Sequence, residues 1–440
     1  MWPYHPDLLA TTVPRYTSFP TAAEFSDDVG PEDLHAALAA VGEDEPVSLY
    51  LHIPYCREIC WYCGCNTGAA NRSGRVSAYL QRLGEEIDLI ARHLAGRGRV
   101  RRIAWGGGSP NAIALEAFDA LMLRVRQAFR CDDPVVSIEL DPRGFDSQWA
   151  DALGRNKVSR ASLGVQTFAP HVQAAIGRVQ PHADIVRTVA RLRGAGVDSI
   201  NFDLMYGLPR QSAGDLAETL DAAIAMGPDR LAVFGYAHVP HLLPRQRRID
   251  AAALPDGRVR FAQAALAYET LCAAEYQPIG FDHFATPGDA IAVAARAGVL
   301  RRNFQGFTED GSDVLIGLGA SAISAFPGWL LQNEKNAGRY HLQIGNDRFA
   351  TARGVRRSPL DRLTGRLIEL LLCNGQADLT GLPDLAAIRH RLAAFERAAL
   401  IIWSGNRLVL GNGALPYARG IVATLDPYRQ HSQTRFSSAV

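Results

Sequence analysis

Four of the chain's seven cysteines lie within ten residues, in the segment CREICWYCGC. Cys56, Cys60 and Cys63 follow a C-x3-C-x2-C spacing, and Cys65 comes two residues later. Such a group could form a zinc site, a disulfide cluster, a redox dithiol or an iron–sulfur centre. Zinc usually takes two ligand pairs separated by a longer loop, whereas three thiolates on one short loop suit a [4Fe–4S] cluster with one open iron. The spacing therefore favours iron–sulfur chemistry over zinc or buried thiols.

The composition indicates an ordinary globular protein, since 48% of the 440 residues are hydrophobic and 21% are charged. A net charge of +1 gives no indication of a nucleic acid or a membrane surface as partner. Residues 1–21 contain no basic segment followed by an apolar one, so we predict no signal peptide and expect a cytoplasmic protein. Because thiols stay reduced in the cytoplasm, the disulfide alternative is set aside.

One uncharged segment, residues 314–331, reaches the length of about 18 residues at which a membrane span is considered. It also contains three glycines, two serines and Pro327. We interpret it as buried, glycine-rich backbone near a ligand and predict no membrane insertion.

Short apolar, β-branched segments alternate with segments of helical periodicity, which predicts a parallel sheet with helices outside it. About six such repeats favour a partial (β/α)6-type TIM-like barrel over an open doubly wound sheet. The strand candidates are residues 47–53, 101–105, 135–140, 160–166, 199–207, 230–238 and 276–284, and the helical candidates include 77–94, 116–129, 183–196 and 215–227.

Several predicted strands end directly in polar or glycine-rich motifs, namely GGGSP, ELDPR, GVQTF, FDLMYGLP and FGYAHVP. Ligands bind at the carboxyl ends of parallel strands in barrels and open sheets. We therefore expect a site at this edge, next to the cysteines that follow the first strand.

The pattern divides the chain into an N-terminal extension (1–45), a barrel domain (46–331), a linker (332–358) and a C-terminal cap (359–440). Ser358 and Pro359 have the residue types of a helix start, and two helices and a hairpin turning at 404–406 indicate a small winged-helix-like domain. Its basic residues form only a modest cluster, so we predict no nucleic-acid binding.

With an aromatic residue before its third cysteine, the motif resembles that of the radical S-adenosylmethionine (SAM) superfamily. The longer CREICWYCGCN, preceded by LYLHIPY and by PRYTSFPT at 14–21, resembles the oxygen-independent coproporphyrinogen III oxidase family. The likeness continues through NFQGF and SAISAF to Cys373 and Asn374, and more weakly to the C-terminus. Gly375 departs from the family pattern, which usually has phenylalanine there, and the tail 428–440 keeps only its general character.

The resemblance implies two cofactors, a [4Fe–4S] cluster and one or two molecules of SAM. It assigns the cluster to Cys56, Cys60 and Cys63. It assigns SAM binding to Tyr50, Tyr62, Gly64, Gly107, Gly108, Ser109, Glu139, Gln166, Arg178 and Asp203, a second SAM to Ala237 and Ile323, and catalytic positions to Cys65 and Tyr50.

The chemistry of these residue types fits that assignment. Arg178 can hold a carboxylate in a fork, while Glu139 and Asp203 can accept hydrogen bonds from ribose hydroxyls or an ammonium group. The glycines before Ser109, which stands where the family usually has threonine, permit close backbone approach and offer N–H groups. We expect the remaining cysteines, Cys131, Cys272 and Cys373, to be core residues.

The implied reaction converts two propionates of coproporphyrinogen III to vinyl groups, with an unidentified electron donor and acceptor. Arg15, Arg301 and Arg302 are candidates for propionate contacts, and we expect a monomer. The alternative within the superfamily is a haem chaperone, which typically lacks both the extra cysteine and the PRYTSFPT segment. A zinc-dependent winged-helix regulator is the alternative from a different class, and metal content distinguishes it.

Overall fold

Strands and helices alternate along the chain as the sequence predicts. The computed structural model describes residues 2–430. The strands in this part of the chain are β1 (Pro46–Ile53), β2 (Tyr55–Cys56), β3 (Gly68–Ala69), β4 (Arg99–Gly107), β5 (Cys131–Leu140), β6 (Val158–Gln166), β7 (Ser199–Tyr206), β8 (Arg230–Gly235), β9 (Gln277–Ile279), β10 (His283–Ala285), β11 (Arg301–Asn303), β12 (Gly306–Thr308), β13 (Val314–Leu318), β14 (Ile323–Phe326), β15 (Trp329–Asn333), β16 (Thr351–Arg356), β17 (Gln376–Asp378), β18 (Ile401–Ser404) and β19 (Arg407–Leu410).

The α-helices cover the sheet and build the C-terminal region. They are α1 (Pro6–Leu9), α2 (Pro31–Ala39), α3 (Ser73–Leu94), α4 (Leu115–Ala128), α5 (Ser147–Arg155), α6 (Pro170–Ala175), α7 (His182–Gly194), α8 (Ala213–Ala225), α9 (Gly257–Ala273), α10 (Ala290–Arg296), α11 (Ala337–Gly345), α12 (Pro359–Asn374), α13 (Leu385–Arg397) and α14 (Ala418–Ala423).

Twelve strands form one sheet, and its central strands run parallel. The order across the sheet is β16-β15-β14-β13-β1-β4-β5-β6-β7-β8-β10-β9. Neighbours from β13 to β8 pair in parallel, whereas the outer strands pair antiparallel. Each of β1, β4, β5, β6, β7 and β8 is followed along the chain by an α-helix. The predicted partial (β/α)6 barrel is confirmed, with antiparallel strands added on both sides.

The register of the parallel strands brings their carboxyl ends to one edge. At that edge Ile53, the last residue of β1, lies opposite Gly107 of β4. Further along the sheet, Gly164 of β6 lies opposite Asp203 of β7. Residues far apart in sequence therefore meet at the position that the strand-end motifs predict.

The predicted strand 276–284 is wrong in one respect, because the structure divides it into β9 and β10. The two short strands pair antiparallel around Gly280, which has a φ of +60°. That left-handed conformation suits glycine, since it has no Cβ, and it reverses the chain. The apolar pattern identified the segment as extended but did not show the turn.

The main core lies between the sheet and its helices. On α3, Leu83, Ile87 and Ile90 are almost fully buried and recur at the three- to four-residue spacing of one helix face. Cys131 and Cys272 are partly buried against this core, which agrees with their expected role as core residues.

A second core holds the C-terminal region together. Leu371, Leu392 and Ile421 meet there, and Tyr16 and Phe19 of the N-terminal extension join them. The helix start predicted at Ser358 is present, since its hydroxyl accepts a hydrogen bond from the Asp361 N–H at 3.1 Å. At the other end of α12, Gly375 adopts φ +70°, so the departure from the family pattern supplies a helix-ending glycine.

The segment 332–358, predicted as an irregular linker, instead contains regular structure. It holds α11 and β16, and β16 pairs with β15 at the edge of the main sheet. Asn336 caps α11 by accepting the N–H groups of Gly338 and Arg339 at 2.9 and 3.1 Å. Polar residues that cap and cover this segment gave it the appearance of a linker. The domain boundaries stay a prediction, and residues 431–440 of the predicted cap, with the last part of the tail, lie outside the described residues.

No helix within residues 2–430 is both long and apolar enough to cross a membrane. The uncharged segment 314–331 forms β13, β14 and the beginning of β15, and several of its side chains are buried in the main core.

Candidate active site

A cleft with an empty volume of about 1430 Å³ opens at the carboxyl ends of the parallel strands. Most of the site residues predicted from the sequence line it. These are Arg15, Cys56, Cys60, Tyr62, Cys63, Gly64, Cys65, Gly107, Gly108, Ser109, Glu139, Gln166, Arg178, Asp203 and Ala237. Tyr50, Ile323, Arg301 and Arg302 are not among its lining residues.

Each of the three predicted cluster cysteines receives a hydrogen bond at its sulfur. The Ser109 hydroxyl lies 3.6 Å from Cys56 Sγ, and the Cys65 N–H donates to Cys63 Sγ at 3.4 Å. Cys60 Sγ receives two guanidinium donors, one from Arg143 and one from Arg178. All seven cysteines are free thiols. Such donors suit sulfur atoms that carry negative charge as ligands of a cluster.

The thiols differ in how their surroundings affect ionisation. Hydrogen bonds from Cys65 lower the pKa of Cys63 to about 6 against the effect of burial, and Arg245 and Arg178 contribute. Burial raises the pKa of Cys56 to about 11, although its bond from Ser109 opposes this. Cys65 has its pKa raised, first by its hydrogen bond to Cys63 and then by burial. Cys63 is thus held as a thiolate at neutral pH, whereas Cys65 stays a thiol.

Two arginines on neighbouring elements meet at Cys60. Arg143 Nη2 lies 3.5 Å and Arg178 Nη1 3.3 Å from Cys60 Sγ. Both guanidinium groups also bind Asp141, from Arg143 Nη2 at 2.6 Å and from Arg178 Nη2 at 3.2 Å. Despite its burial, Asp141 has its pKa lowered by these two arginines. The carboxylate fork expected of Arg178 is therefore occupied within the protein by Asp141, and Arg178 faces a cluster cysteine.

The cysteine loop is anchored on both sides by residues distant in sequence. The Trp61 N–H donates to the carbonyl of Ile176 at 3.0 Å, and its indole packs over Gly177 so closely that a Cβ there would lie 2.6 Å from the ring. On the other side, Gln246 Nε2 donates to the carbonyls of Tyr62 at 2.9 Å and Ala237 at 3.1 Å. Gln246 thereby joins the loop to the end of β8.

The GGGSP motif is packed against its neighbours. A Cβ at Gly106 would lie 2.8 Å from the Glu139 carboxyl, and one at Gly107, which has φ +106°, would lie 2.5 Å from His52 Nδ1. The expected N–H donors are already in use: Gly107 donates to Glu139 at 3.0 Å, Gly108 to Ile53 at 2.8 Å and the following serine to Tyr55 at 2.8 Å. The motif therefore fixes the cleft wall. Because its N–H groups are in use, what it offers a ligand is backbone without side chains, which the ligand can approach closely.

Two carboxylates face the cleft opposite the cysteines. Asp203 accepts hydrogen bonds from Ser162 Oγ and Asn201 Nδ2, both at 2.9 Å. Loss of contact with bulk water raises the pKa of Glu139 to about 7, the Gly107 N–H opposes this, and Asp203 adds to it. The pKa of Asp203 is raised as well, chiefly by burial. Two such groups suit a ligand that brings positive charge or hydroxyl donors.

Gln166 lies beside them at a bulge in β6, where the register shifts between Gly164 and Gln166. It has φ +66° and is 7% exposed. A left-handed conformation at a residue with a side chain costs roughly 1–3 kcal/mol, and such residues concentrate at functional sites.

Tyr50 lies close to the cleft, since Glu139 and Cys65, which line it, add to the burial that raises the pKa of Tyr50. Its hydroxyl is 3.1 Å from Nδ1 of His52, and Nε2 of that ring is 3.3 Å from Ser321 Oγ. Burial lowers the pKa of His52 to about 4, so the ring is neutral at neutral pH. Gly317, which pairs with Tyr50, also packs against the backbone of Ile323, so Ile323 lies next to the strand pair that carries Tyr50.

Arg301 and Arg302 line a different cavity, and the structure does not bring them to the cysteines. Arg301 pairs with Glu369 at 2.8 Å. Arg302 donates from Nε to the carbonyl of Tyr16 at 3.2 Å and from Nη2 to that of Arg15 at 3.1 Å. Arg302 thus holds the backbone of the PRYTSFPT segment, whose Arg15 side chain lines the cleft.

Comparison with known proteins agrees with this geometry. A family model described as the radical SAM superfamily matches residues 50–223. The oxygen-independent coproporphyrinogen III oxidase of Bradyrhizobium diazoefficiens is 41% identical, and the match covers 97% of this chain and 97% of that protein. The chain belongs to this oxidase family. The same enzyme of Pseudomonas aeruginosa is 40% identical over 82% of this chain and 79% of its own length.

A solved structure supports membership over the whole fold. The coproporphyrinogen III oxidase of Escherichia coli, described as a radical SAM enzyme, is 34% identical with a TM-score of 0.91. The match covers 97% of this chain and 99% of that chain. The resemblance and the fold class predicted from the sequence are confirmed.

Family membership implies a [4Fe–4S] cluster and SAM as cofactors, and the residues present fit them. Three free thiols on one loop, each with a hydrogen-bond donor at its sulfur, provide the thiolates that iron–sulfur clusters require. Among residues 2–430, no three His, Cys, Asp or Glu side chains form a group that could hold a single metal ion.

Sequence reasoning missed three residues that organise this site. Asp141 and Arg143 stand in the ELDPR motif, which was singled out as a strand end, so a signal for them existed. Gln246 lies in the 3₁₀ helix Pro244–Arg248, 1% exposed, in a stretch of arginines that reads as surface. Only its contacts in the folded chain show that it clamps the cysteine loop.

Proposed function

We propose that this chain catalyses the oxygen-independent oxidative decarboxylation of coproporphyrinogen III to protoporphyrinogen IX. The observation that carries the proposal is the cleft itself, in which a three-cysteine loop faces two carboxylates at the strand ends of a family-typical barrel. Two propionates each lose one hydrogen atom, one further electron and CO2, and each becomes a vinyl group.

Different residues of the cleft would hold the two cofactors. Cys56, Cys60 and Cys63 would hold the cluster, which together with SAM would supply the radical chemistry that removes a hydrogen atom from each propionate. Glu139 and Asp203 would accept hydrogen bonds from the hydroxyl or amino groups of SAM. The walls of the cleft orient the reactants and exclude water from them.

Two guanidinium groups donate to the sulfur of Cys60. Arg178 is 6% exposed and touches both Cys60 and Asp141, while Arg143, which touches the same two groups, also pairs with Glu58 at 2.6 Å. The two arginines are therefore balanced by two carboxylates, and they offer the sulfur direct N–H donors. We propose that these donors would stabilise the negative charge of a cluster bound at Cys60.

The number of SAM molecules bound per chain tests whether a second SAM site exists. Ala237 lines the cleft, and Ile323 packs against Gly317, which pairs with Tyr50. We propose one SAM beside the cluster and a second on the Ala237 side. Anaerobic equilibrium dialysis of the reconstituted protein with labelled SAM measures this, and a ratio of one SAM per chain would contradict the second site.

Tyr50 and Cys65 have different roles in this proposal. Cys65 is accessible from the cleft, although the protein groups around it raise the pKa of its thiol, so it can meet the substrate as a thiol. Tyr50 acts through His52 and positions the wall on which SAM rests. We further propose that the enzyme works as a cytoplasmic monomer with a separate electron donor and acceptor, without nucleic acid or membrane. Size-exclusion chromatography with light scattering tests the monomer.

The test is reconstitution without oxygen, followed by addition of dithionite, SAM, an electron acceptor and coproporphyrinogen III. Mass spectrometry of both products should show a tetrapyrrole that has lost two carboxyl groups, together with 5′-deoxyadenosine. Cys60→Ala should abolish both, whereas Cys272→Ala, far from the cleft, should abolish neither. Deoxyadenosine with an unchanged tetrapyrrole would contradict the oxidase and favour the haem chaperone or another substrate.

A further inference from the structure

Glu86 is a buried carboxylic acid on α3 that the proposed reaction does not use. It is 2% exposed, and three neutral groups donate hydrogen bonds to it. The Gly319 N–H and the Tyr340 hydroxyl donate to Oε2 at 2.6 and 2.7 Å, and Asn333 Nδ2 donates to Oε1 at 2.7 Å. Asn333 Nδ2 also lies 3.0 Å from the carbonyl of Gly319. Because burying a carboxyl group is costly, three donors that converge on one indicate a network that specifies a conformation.

The conformation that this network specifies is the turn between β13 and β14, residues 319–322. Gly319 has φ +104° and Ser321 has φ +64°, so two of its four residues are left-handed, which is costly for the serine. A Cβ at Gly319 would lie 2.5 Å from the Tyr79 hydroxyl, and that hydroxyl accepts the next N–H of the turn at 3.0 Å. Glu86 and Tyr79, both on α3, therefore hold a strained turn through its backbone N–H groups.

The turn carries a side chain that reaches the wall of the cleft. Ser321 Oγ lies 3.3 Å from Nε2 of His52, and Nδ1 of that ring lies 3.1 Å from the Tyr50 hydroxyl. The ring packs on the GGGSP motif so closely that a Cβ at Gly107 would lie 2.5 Å from Nδ1. Gly107 lines the cleft, and its N–H donates to Glu139 at 3.0 Å. A continuous series of contacts thus runs from the turn through the ring to the cleft wall.

The backbones of the turn and of β1 are joined as well. The Tyr79 hydroxyl donates to the carbonyl of His52 at 2.7 Å while it accepts the N–H of Ala320. On the other side of the turn, Gln332 Nε2 donates to the carbonyl of Ser321 at 3.1 Å. The position of the His52 ring therefore depends on the position of the turn.

We propose that Glu86 is a positioning residue for the SAM site. It holds the turn 319–322 in the conformation in which Ser321 contacts the His52 ring, and that ring supports the cleft wall at Gly107. The inference rests on the proposed function, since it takes SAM to lie on this wall. Glu86 is not among the residues that line the cleft, so it acts through the turn. Loss of its acceptor oxygens leaves a buried N–H unpaired and lets the strained turn relax.

Glu86→Gln keeps the size of the side chain but replaces an acceptor oxygen with a donor. In the anaerobically reconstituted protein, the Kd for SAM in equilibrium dialysis should rise by roughly 3- to 30-fold, with cluster iron unchanged. The KM for SAM should rise by the same factor while kcat stays within about twofold of the wild type. Hydrogen exchange of the peptide that covers residues 319–322 should become faster, because an N–H loses its acceptor.

Val125→Ala is the matched control for stability. Val125 is fully buried on α4 in the main core and takes no part in this network. Its truncation should lower Tm, as a large-to-small core substitution does, but leave the Kd for SAM and the exchange of the turn unchanged. A rise in the Kd for SAM in Val125→Ala equal to that in Glu86→Gln would show that lost stability alone weakens SAM binding, and it would overturn the proposal.

Ser321→Ala tests the route and leaves Glu86 with all its donors, so it decides the question even where Glu86→Gln does not fold. It should also raise the Kd for SAM, and the double variant should bind SAM no more weakly than the weaker single variant, because both changes act on one ring. Factors that multiply in the double variant would overturn the proposal. A Kd within about twofold of the wild type in either single variant would do the same.

The wild type separates this inference from the proposed function. If the reconstituted wild type neither binds SAM nor forms 5′-deoxyadenosine, the proposed function fails, and the role of Glu86 fails with it. A wild type that does both, with Glu86→Gln and Ser321→Ala unaffected, refutes only the role of Glu86.

Discussion

Gly107 provides the sharpest test of the site geometry, because a single methyl group there would collide with a fixed side chain. Its φ is +106°, and an added Cβ would lie 2.5 Å from Nδ1 of His52. His52 is 8% exposed and is held between Tyr50 and Ser321 at 3.1 and 3.3 Å, so the ring has little room to move. Gly107→Ala therefore combines backbone strain with overpacking of the wall beneath the predicted SAM site.

The expected loss of stability in Gly107→Ala is the sum of these two effects. Strain at such a backbone conformation costs roughly 1–3 kcal/mol and overpacking typically another 1–3 kcal/mol. Gly96 is the matched control, since it also has a positive φ, +77°, but an added Cβ would meet no atom within 4 Å. The alanine side chain reduces the entropy of the unfolded chain equally in both variants, so this contribution cancels. The overpacking alone, about 1–3 kcal/mol, should separate Gly107→Ala from Gly96→Ala.

The assay is thermal unfolding of both variants and the wild type, together with SAM affinity of the reconstituted proteins. Gly107→Ala should lower Tm by several degrees more than Gly96→Ala does, and it should weaken SAM binding because the Gly107 N–H holds Glu139. Equal Tm values and equal SAM affinities in the two variants would refute the argument that close packing at this motif shapes the site.

Three further predictions concern the same cleft. The pKa of Glu139 is raised to about 7, so its side chain is mainly a carboxylate only above that pH. Below pH 7 the affinity for SAM should therefore rise by up to about tenfold per pH unit, and above pH 7 it should level off. A pH titration of the Kd for SAM checks this, and Glu139→Gln should remove the pH dependence. Cys65→Ser should retain cluster iron but lower the formation of vinyl product by at least roughly tenfold. The control Cys131→Ser should change neither quantity. Loss of iron in Cys65→Ser would show that Cys65 is a cluster ligand instead. Gln246→Ala removes three hydrogen bonds, one to the cysteine loop at Tyr62 and two to the segment after β8 at Ala237 and Val239. It should destabilise the protein by about 1–3 kcal/mol, with faster cluster loss in air, and a cluster as stable as in the wild type would contradict its role as a clamp.

The barrel and its cleft could be predicted from the sequence because local patterns there have a direct structural consequence. Apolar segments of strand length, each followed by a helical segment, permit few arrangements other than parallel strands. Parallel strands must place their carboxyl ends together, so Glu139 and Asp203 were expected at the same edge before any contact was known. The sequence did not predict the turn at Gly280, because two short strands and one long strand show the same alternation of apolar and polar residues.

The contacts that a local pattern cannot specify are those between residues far apart in sequence. Arg302 is a candidate for a propionate contact, and its Nε and Nη2 donate to the backbone carbonyls of residues 16 and 15. Arg178 was expected to hold a carboxylate, and it does, but the carboxylate is Asp141 of the neighbouring strand end. For Arg178 the residue type indicated the kind of partner correctly, whereas for both arginines the partner itself depended on the packing of the whole chain.

The cleft is built from more than one part of the chain. Its cysteines and carboxylates all lie within residues 50–223, the segment that matches the radical SAM superfamily. Arg15, which also lines the cleft, comes from the N-terminal extension. The next residue, Tyr16, joins that extension to the C-terminal region through its hydroxyl, which donates to Asp426 at 3.0 Å. The flanking regions are therefore held to each other, and one of them contributes a side chain to the wall of the cleft.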